Sequence, residues 1–251
     1  MYQVEQDEPS EEFKIAWQEA GRYIQSKGGE GIQWIRATLN PPVAEHLSFR
    51  IGNQLFFIFV EAAEFSFQNA KELFLRVSRE ANATPCIMAM TKRIASYEPE
   101  SAGWGLINAE SGESVDPGFM VSNELIEMSD WELHDFAIQT VKNYLSKQGK
   151  KVFTAQSSLE IDPSIWFDDA GDVHWVIVRA VRYPEKEAVI PQNINEISQS
   201  CSKMGKSGYF ASVMVANSDD PFDPLAASND NYLPLYRGHG MMVNFKGLDS
   251  I

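Results

Sequence analysis

Hydrophobic residues recur at helical spacing near the start of each half of the chain. The positions that share one helical face are Phe13, Trp17 and Ile24 in the first half and Phe136, Thr140, Val141 and Tyr144 in the second. Residues 55–60, Leu-Phe-Phe-Ile-Phe-Val, are apolar without interruption, which predicts a strand buried on both faces. Further helices are predicted near 67–82 and 192–205. Each half therefore predicts the element order α-β-β-β-α-β-β.

The two halves also resemble each other in sequence. Four pairs of segments match in the same order along the chain: 22–42 with 143–163, 52–62 with 171–181, 84–92 with 208–217, and 118–121 with 240–243. In the second pair, Gly52 aligns with Gly171, Phe56 with Trp175 and Ile58 with Ile177. The offsets lie between 119 and 124 residues. A repeated unit of this length predicts a tandem duplication.

The repeat and the helix signals together predict the fold class and the boundary. Ser129 followed by Glu132 is the pattern of a capping box, so we expect a helix to begin there. The boundary is then predicted between residues 128 and 129. The segment from the third strand through a helix to the fourth is long enough for a parallel crossover. We predict an α/β (α+β) protein of two similar units, each a mixed sheet flanked by helices.

Composition narrows the classes of function. The chain carries 35 acidic and 21 basic side chains, a net charge of −14, and this charge disfavours binding to nucleic acid. The densest basic run, Lys147, Lys150 and Lys151, flanks a predicted turn. Cys86 and Cys201 lack the spacing of zinc ligands, and we expect both to be buried in a reduced compartment.

The N-terminal residues are acidic and lack the apolar run of a signal peptide. No segment approaches the roughly 20 apolar residues of a membrane span. We therefore expect a soluble, cytoplasmic protein without a membrane partner.

The stretch 162–180 contains an acid at the head of a strand, a hairpin turn, and a second strand that ends in a basic residue. With the element order, it resembles the restriction-endonuclease-like fold of the PD-(D/E)XK superfamily. That resemblance implies Asp162 as the first metal-binding acid, Ile177 at the second acid position and Arg179 at the lysine position. Isoleucine cannot ligate a metal, and arginine, with a pKa above about 12, cannot act as a base. Unit 129–251 thus carries a partial motif.

Unit 1–128 lacks the motif residues. Pro41 and Pro42 stand where the family has its first acid, and Ile58 and Val60 take the two positions on the third strand. Glu61 is expected on the opposite face of that strand. We interpret this half as a purely structural version of the unit.

Two further clusters are candidates for binding. Asp219, Asp220 and Asp223 lack the alternation of a calcium-binding loop, and their Asp-Pro pairs favour a turn. Arg237 and His239 lie next to glycines in residues 235–240, Arg237 before Gly238 and His239 between Gly238 and Gly240. They could form a binding pocket for a carboxylate or phosphate. The alternative is a tight turn in which carbonyl groups or Asp162 satisfy the arginine.

Three functional hypotheses follow. The first is a non-catalytic interaction protein made of two degenerate nuclease-like units, with no cofactor and an acidic surface suited to a basic protein partner. The second is a Mg²⁺-dependent nuclease in which Asp162 and Glu160 hold the metal and Arg179 assists. The third is an acidic protein similar to type III secretion chaperones, which would expose an apolar patch.

Overall fold

The computed structural model describes residues 9–37, 39, 46–62, 66–94, 96–222 and 232–251. The chain divides into two compact units, Tyr2–Ile126 and Glu127–Ile251. The division lies two residues before the boundary that the capping signal predicts. None of the described helices is long and apolar enough to cross a membrane.

The N-terminal unit has one sheet with a helix on each face. Its elements in chain order are α1 (Glu11–Gly28), β1 (Ile32–Arg36), β2 (His46–Ile51), β3 (Gln54–Glu61), α2 (Phe67–Glu80), β4 (Thr84–Lys92), β5 (Tyr97–Pro99), β6 (Leu106–Asn108), β7 (Ser114–Val115) and α3 (Pro117–Met120). The strand order is β1-β2-β3-β4-β6-β7, and β5 pairs with β4 beside β6. Among the described strands of this unit, only β3 and β4 run parallel, and α2 lies in the connection between them.

The C-terminal unit repeats this plan. Its elements are α4 (Asp130–Lys147), β8 (Lys151–Ala155), β9 (Ile165–Asp169), β10 (Asp172–Arg182), α5 (Ile194–Cys201), β11 (Ser207–Asn217), β12 (Met241–Phe245) and β13 (Asp249–Ser250). The strand order is β12-β11-β10-β9-β8, and β13 also pairs with β11. The parallel pair is β10–β11, connected through α5. The predicted fold class, two similar mixed sheets flanked by helices, is confirmed.

Capping and turn residues in the sequence correctly predicted the start of α4 and the two central hairpins. The Ser129 side chain accepts a hydrogen bond from the Glu132 backbone N–H at 3.2 Å, and the Glu132 carboxylate accepts one from the Ser129 N–H at 2.9 Å. This is the predicted capping box, which satisfies two backbone donors at the start of α4. Both central hairpins have two-residue turns, at 52–53 and 170–171. The two cysteines are buried and unpaired with each other.

Strand register relates the two units more closely than the sequence alignment does. Trp34 pairs with Phe49 in the first sheet, and Val152 pairs with Phe167 in the second. The residue numbers of equivalent positions in the two units therefore differ by 118 in both strands. The register shifts at the next step in both sheets, between Trp34 and Arg36 and between Val152 and Thr154. The units therefore share a β-bulge at the same position in the same strand pair.

The predicted offset of 119 for the third strand is wrong by one residue. Phe56 belongs to the apolar cluster on the α1 face, whereas Trp175 belongs to the cluster on the opposite, α5 face. Side chains alternate between faces, so a slip of one residue exchanges them. The cause is the turn glycine: Gly52 is the first residue of its turn, but Gly171 is the second.

At the corrected offset of 118, Phe57 corresponds to Trp175 and Glu61 to Arg179. The match of 118–121 with 240–243 is also wrong, because the first segment falls mostly in helix α3 and the second mostly in strand β12.

The first helices match at the predicted offset of 121. The buried residues of α1 are Phe13, Ala16, Trp17, Ala20 and Ile24, and their counterparts in α4 are His134, Ala137, Ile138, Val141 and Leu145. Every pair but one is apolar in both units. The exception is His134, which stands where the N-terminal unit has Phe13. Phe136 and Tyr144, expected on the apolar face of α4, are only partly buried.

A close approach in β11 provides a test of this packing. A Cβ atom added at Gly208 would lie 2.2 Å from the Trp175 ring, so we expect Gly208→Ala to lower the free energy of unfolding by about 1–3 kcal/mol. The control is Gly21→Ala in α1, where the nearest atom would be 3.8 Å away. That change should raise stability by up to about 1 kcal/mol, since alanine favours helix. Urea denaturation measures both, and an unaffected Gly208→Ala protein would contradict the packing.

Candidate functional site

Asp162 and Arg179, the two candidate catalytic residues, form an ion pair. Asp162 lies in the loop before β9, and Arg179 lies in the second half of β10. The guanidinium donates to both carboxylate oxygens, at 2.9 Å and 2.5 Å, and also to the Val178 carbonyl oxygen at 2.8 Å. The side chains are only 12% and 23% exposed. Arg179 thus neutralises the carboxylate that the nuclease resemblance assigns to metal.

The other positions implied by the nuclease resemblance bring no second carboxylate to Asp162. Ile177 is fully buried in an apolar cluster with Trp175 and Phe210. Glu160 is exposed, and its backbone N–H donates to the Ser158 hydroxyl at 3.3 Å. Across the described ranges, no three His, Cys, Asp or Glu side chains are grouped so that they could hold a metal ion.

In the N-terminal unit the corrected register changes the assignment of equivalent residues. Glu61, not Val60, corresponds to Arg179, and Phe59 corresponds to Ile177. Glu61 accepts a hydrogen bond from the Ser66 hydroxyl at 3.3 Å. Pro41 and Pro42, expected at the first-acid position, lie outside the described residues.

Arg237 forms a buried ion pair with Glu132 within the C-terminal unit. Its guanidinium donates to the Glu132 carboxylate at 2.8 Å through Nη2 and at 2.9 Å through Nε. The two side chains are 2% and 8% exposed. Glu132 therefore caps α4 and also compensates a buried cation. The proposed partner Asp162 instead binds Arg179.

His239 packs against Tyr236 at the surface of the C-terminal unit. It is exposed, and its ring packs edge-on against Tyr236 with 5.7 Å between centroids. Its backbone N–H donates to the Tyr236 carbonyl oxygen at 3.2 Å, as in a tight turn. The structure thus does not bring Arg237 and His239 together as one pocket.

The acidic segment after β11 is built as a turn where it is described. Asp220 is buried, and its carboxylate accepts backbone hydrogen bonds from Phe222 and Leu233, both at 2.8 Å. The Asp219 backbone N–H donates to the Asn217 side chain at 3.0 Å. Asp223, the third acid of this cluster, lies outside the described residues.

Sequence reasoning missed His134, the least satisfied polar side chain near the candidate site. It is 1% exposed, and neither ring nitrogen has a hydrogen-bond partner among the described residues. Burial, followed by the positive charge of Arg179, lowers the pKa of His134 to about 4, so the ring is neutral at pH 7. The neighbouring Asp135 is also buried and accepts a hydrogen bond from Ser157. Alignment of the two helices offered a signal, because the equivalent residue is Phe13.

His134 lines a cavity of about 500 Å³. The cavity lies between the first turns of α4 and the end of β10 with the loop that follows it. Its charged lining residues are Asp130, Arg179, Arg182 and Glu185. Arg182 donates to the Asp130 carboxylate and, at 2.7 Å, to the Met128 carbonyl oxygen, while its Nε has no hydrogen-bond partner. Arg179, the cationic partner of Asp162, is one of the residues that line this cavity.

Residues 131–251 match the family model described as a domain of unknown function (DUF8840). The match begins inside α4 and runs to the end of the chain, so it includes Asp162, Arg179 and most of the cavity lining. No curated protein matches the chain significantly, and neither does any solved structure.

Removing the cation of the buried Arg237–Glu132 pair should destabilise the protein more than removing the cation of an exposed ion pair. Arg237→Met leaves the Glu132 charge buried without its partner, so we expect a loss of about 3 kcal/mol or more in stability. Lys246→Met is the matched control, because Lys246 and Glu187 form an exposed pair at 2.6 Å. It should leave stability unchanged within the error of urea denaturation. Equal effects of the two substitutions would contradict the structural role of Arg237.

His134 predicts a specific loss of stability in acid. Its pKa of about 4 in the folded state lies below the ordinary value of 6.5, so the unfolded chain takes up the proton first. Stability should therefore fall between about pH 7 and pH 4, by about 3 kcal/mol from this group. His134→Phe should remove that contribution, and urea denaturation across this pH range measures it. Parallel curves for the two proteins would refute the assignment.

Proposed function

We propose that the chain is a non-catalytic interaction protein built from two degenerate nuclease-like units. The element order α-β-β-β-α-β with a parallel third and fourth strand supports the resemblance to the restriction-endonuclease-like fold. The common register and the common bulge support an origin of the units by tandem duplication.

The bidentate pairing of Arg179 with Asp162 is the observation that carries the non-catalytic assignment. Magnesium gives up its water reluctantly and needs several hard oxygen ligands. Here both oxygens of the first acid accept hydrogen bonds from a cation, and the second acid position is the buried Ile177. A Mg²⁺-dependent nuclease would first have to displace Arg179 and then recruit carboxylates from elsewhere.

Charge supports a basic protein as the partner rather than nucleic acid. The net charge of −14 repels phosphates at long range and attracts a cationic surface. The densest basic run is partly neutralised, since Lys150 pairs with Asp169 at 2.7 Å. Charge complementarity of this kind raises the association rate and weakens as salt is added.

A second candidate is a role similar to that of a secretion chaperone. Exposed apolar residues follow one another in a short segment of the N-terminal unit: Phe119 at 91%, Met120 at 39%, Val121 at 41% and Leu125 at 58%. A contiguous apolar surface is typical of sites that bind another protein. Such a role would make binding depend on Phe119 more than on salt.

Calorimetric titration with Mn²⁺, followed by DNA and RNA cleavage assays, tests the non-catalytic assignment. We expect neither saturable heat nor cleavage from the wild-type protein or from Asp162→Ala. Saturable binding or cleavage that Asp162→Ala abolishes would overturn the proposal and favour the nuclease.

Capture of partners by the full chain at low and high salt tests the interaction role. Basic proteins that are released by salt and retained by Phe119→Ser would support the proposal. Partners lost in Phe119→Ser but insensitive to salt would favour the chaperone-like role. Recovery of nucleic acid instead of protein would contradict both.

A further inference from the structure

Two residues that line the cavity beside α4 have buried nitrogens without a hydrogen bond, although Nε of Arg182 lies 3.9 Å from a carboxylate oxygen of Glu127. Both ring nitrogens of His134 and the Nε of Arg182 are buried and lack hydrogen bonds. A buried polar group without a hydrogen bond lowers the stability of the folded state. Both residues line the same cavity of about 500 Å³, a volume typical of small-molecule sites.

The N-terminal unit shows that the fold does not require a histidine here. Phe13 occupies the equivalent position of α1 and is fully buried in the apolar core. An apolar ring at this position would carry no unsatisfied nitrogens, so stability alone favours phenylalanine. Packing of the core therefore does not account for the histidine in the C-terminal unit.

The charges around the cavity favour an uncharged ligand. Among the described residues that line it, two are arginines, Arg179 and Arg182, and two are acids, Asp130 and Glu185, so their formal charges cancel. Both arginines already form ion pairs, with Asp162 and Asp130 respectively. An anion would find no unpaired positive charge, and it would approach the carboxylates of Asp130 and Glu185.

The remaining lining suits a flat ring. The apolar side chains of Leu133, Leu159 and Pro184 contribute to the wall, together with the rings of Tyr183 and Tyr232. Aromatic side chains pack favourably against planar ligands. A neutral imidazole offers one N–H donor and one nitrogen acceptor, and Nε of Arg182 adds a second donor. These groups match a planar ring that carries both an acceptor and a donor.

We propose that this cavity binds an uncharged planar heterocycle of the nucleobase type, which hydrogen bonds to His134 and Arg182. The nitrogens of His134 and Nε of Arg182 are all shielded from water, so binding requires both side chains to turn toward the adjacent cavity space. The ligand would supply hydrogen bonds that these side chains lack within the fold. This binding activity is separate from any interaction with a protein partner.

The test is calorimetric titration of the full chain with adenosine, guanosine, cytidine and uridine, each separately, at neutral pH. We expect at least one nucleoside to bind, and His134→Phe to weaken that binding by about tenfold or more, the equivalent of one lost hydrogen bond. The matched control is His174→Phe. His174 is also buried with an unpartnered Nδ1, but it stacks on Phe167 and does not line the cavity.

A second readout does not depend on the folding of a variant. Binding should move the nitrogen chemical shifts of the His134 imidazole in the wild-type protein and leave those of His174 in place. The proposal is overturned if no nucleoside binds, or if His134→Phe and His174→Phe weaken binding equally. Inorganic phosphate is the competing probe, and binding of phosphate in place of nucleosides would also overturn it.

Discussion

Each unit depends on burying its central parallel strand pair from both sides. A parallel connection requires a crossover, and the crossover helix covers one face of the sheet while the first helix covers the other. In the C-terminal unit, Val176 and Val178 of β10 pack toward α4, and Trp175 and Ile177 pack toward α5. Every side chain from Trp175 to Val178 is thus buried in the core. Polar side chains that could bind a ligand therefore lie at the ends of the strand.

Polar residues accordingly concentrate where β10 leaves the core. Arg179 and Arg182 follow its buried section, and the first turns of α4 bring Asp130, Glu132 and His134 to the same end of the sheet. Burial has different effects on the charge of the arginine and histidine side chains. Arginine remains charged and takes a carboxylate as its partner, whereas the unpaired imidazole loses its proton and becomes both donor and acceptor.

Local signals in the sequence predicted the fold well. Apolar runs marked the central strands, glycines marked the hairpins, and Ser129 with Glu132 marked the start of α4. The register was wrong by one because two turn glycines occupy different turn positions. The helix at 117–120 was missed because a tetrapeptide carries no helical period.

The candidate site was predicted only in part. Asp162 and Arg179 were singled out individually, but their pairing depends on the loop before β9 lying beside the second half of β10. The partner of Arg237 is 105 residues away in sequence, and local spacing cannot identify it. His134 carried no motif, and only its alignment with Phe13 distinguishes it from an ordinary core residue.

The shared bulge has a consequence for how the units have diverged. Insertion or deletion of one residue within one of the first three strands would turn the core side chains of that strand beyond the change toward the wrong face. The offset stays at 118 from β1 to β3 and reaches 123 in β4, so changes in length fall in the connection that includes α2 and α5. The three strands thus form a block of the same length in both units, and chimaeras that exchange it between units would preserve which side chains of the described strands face each side of the sheet.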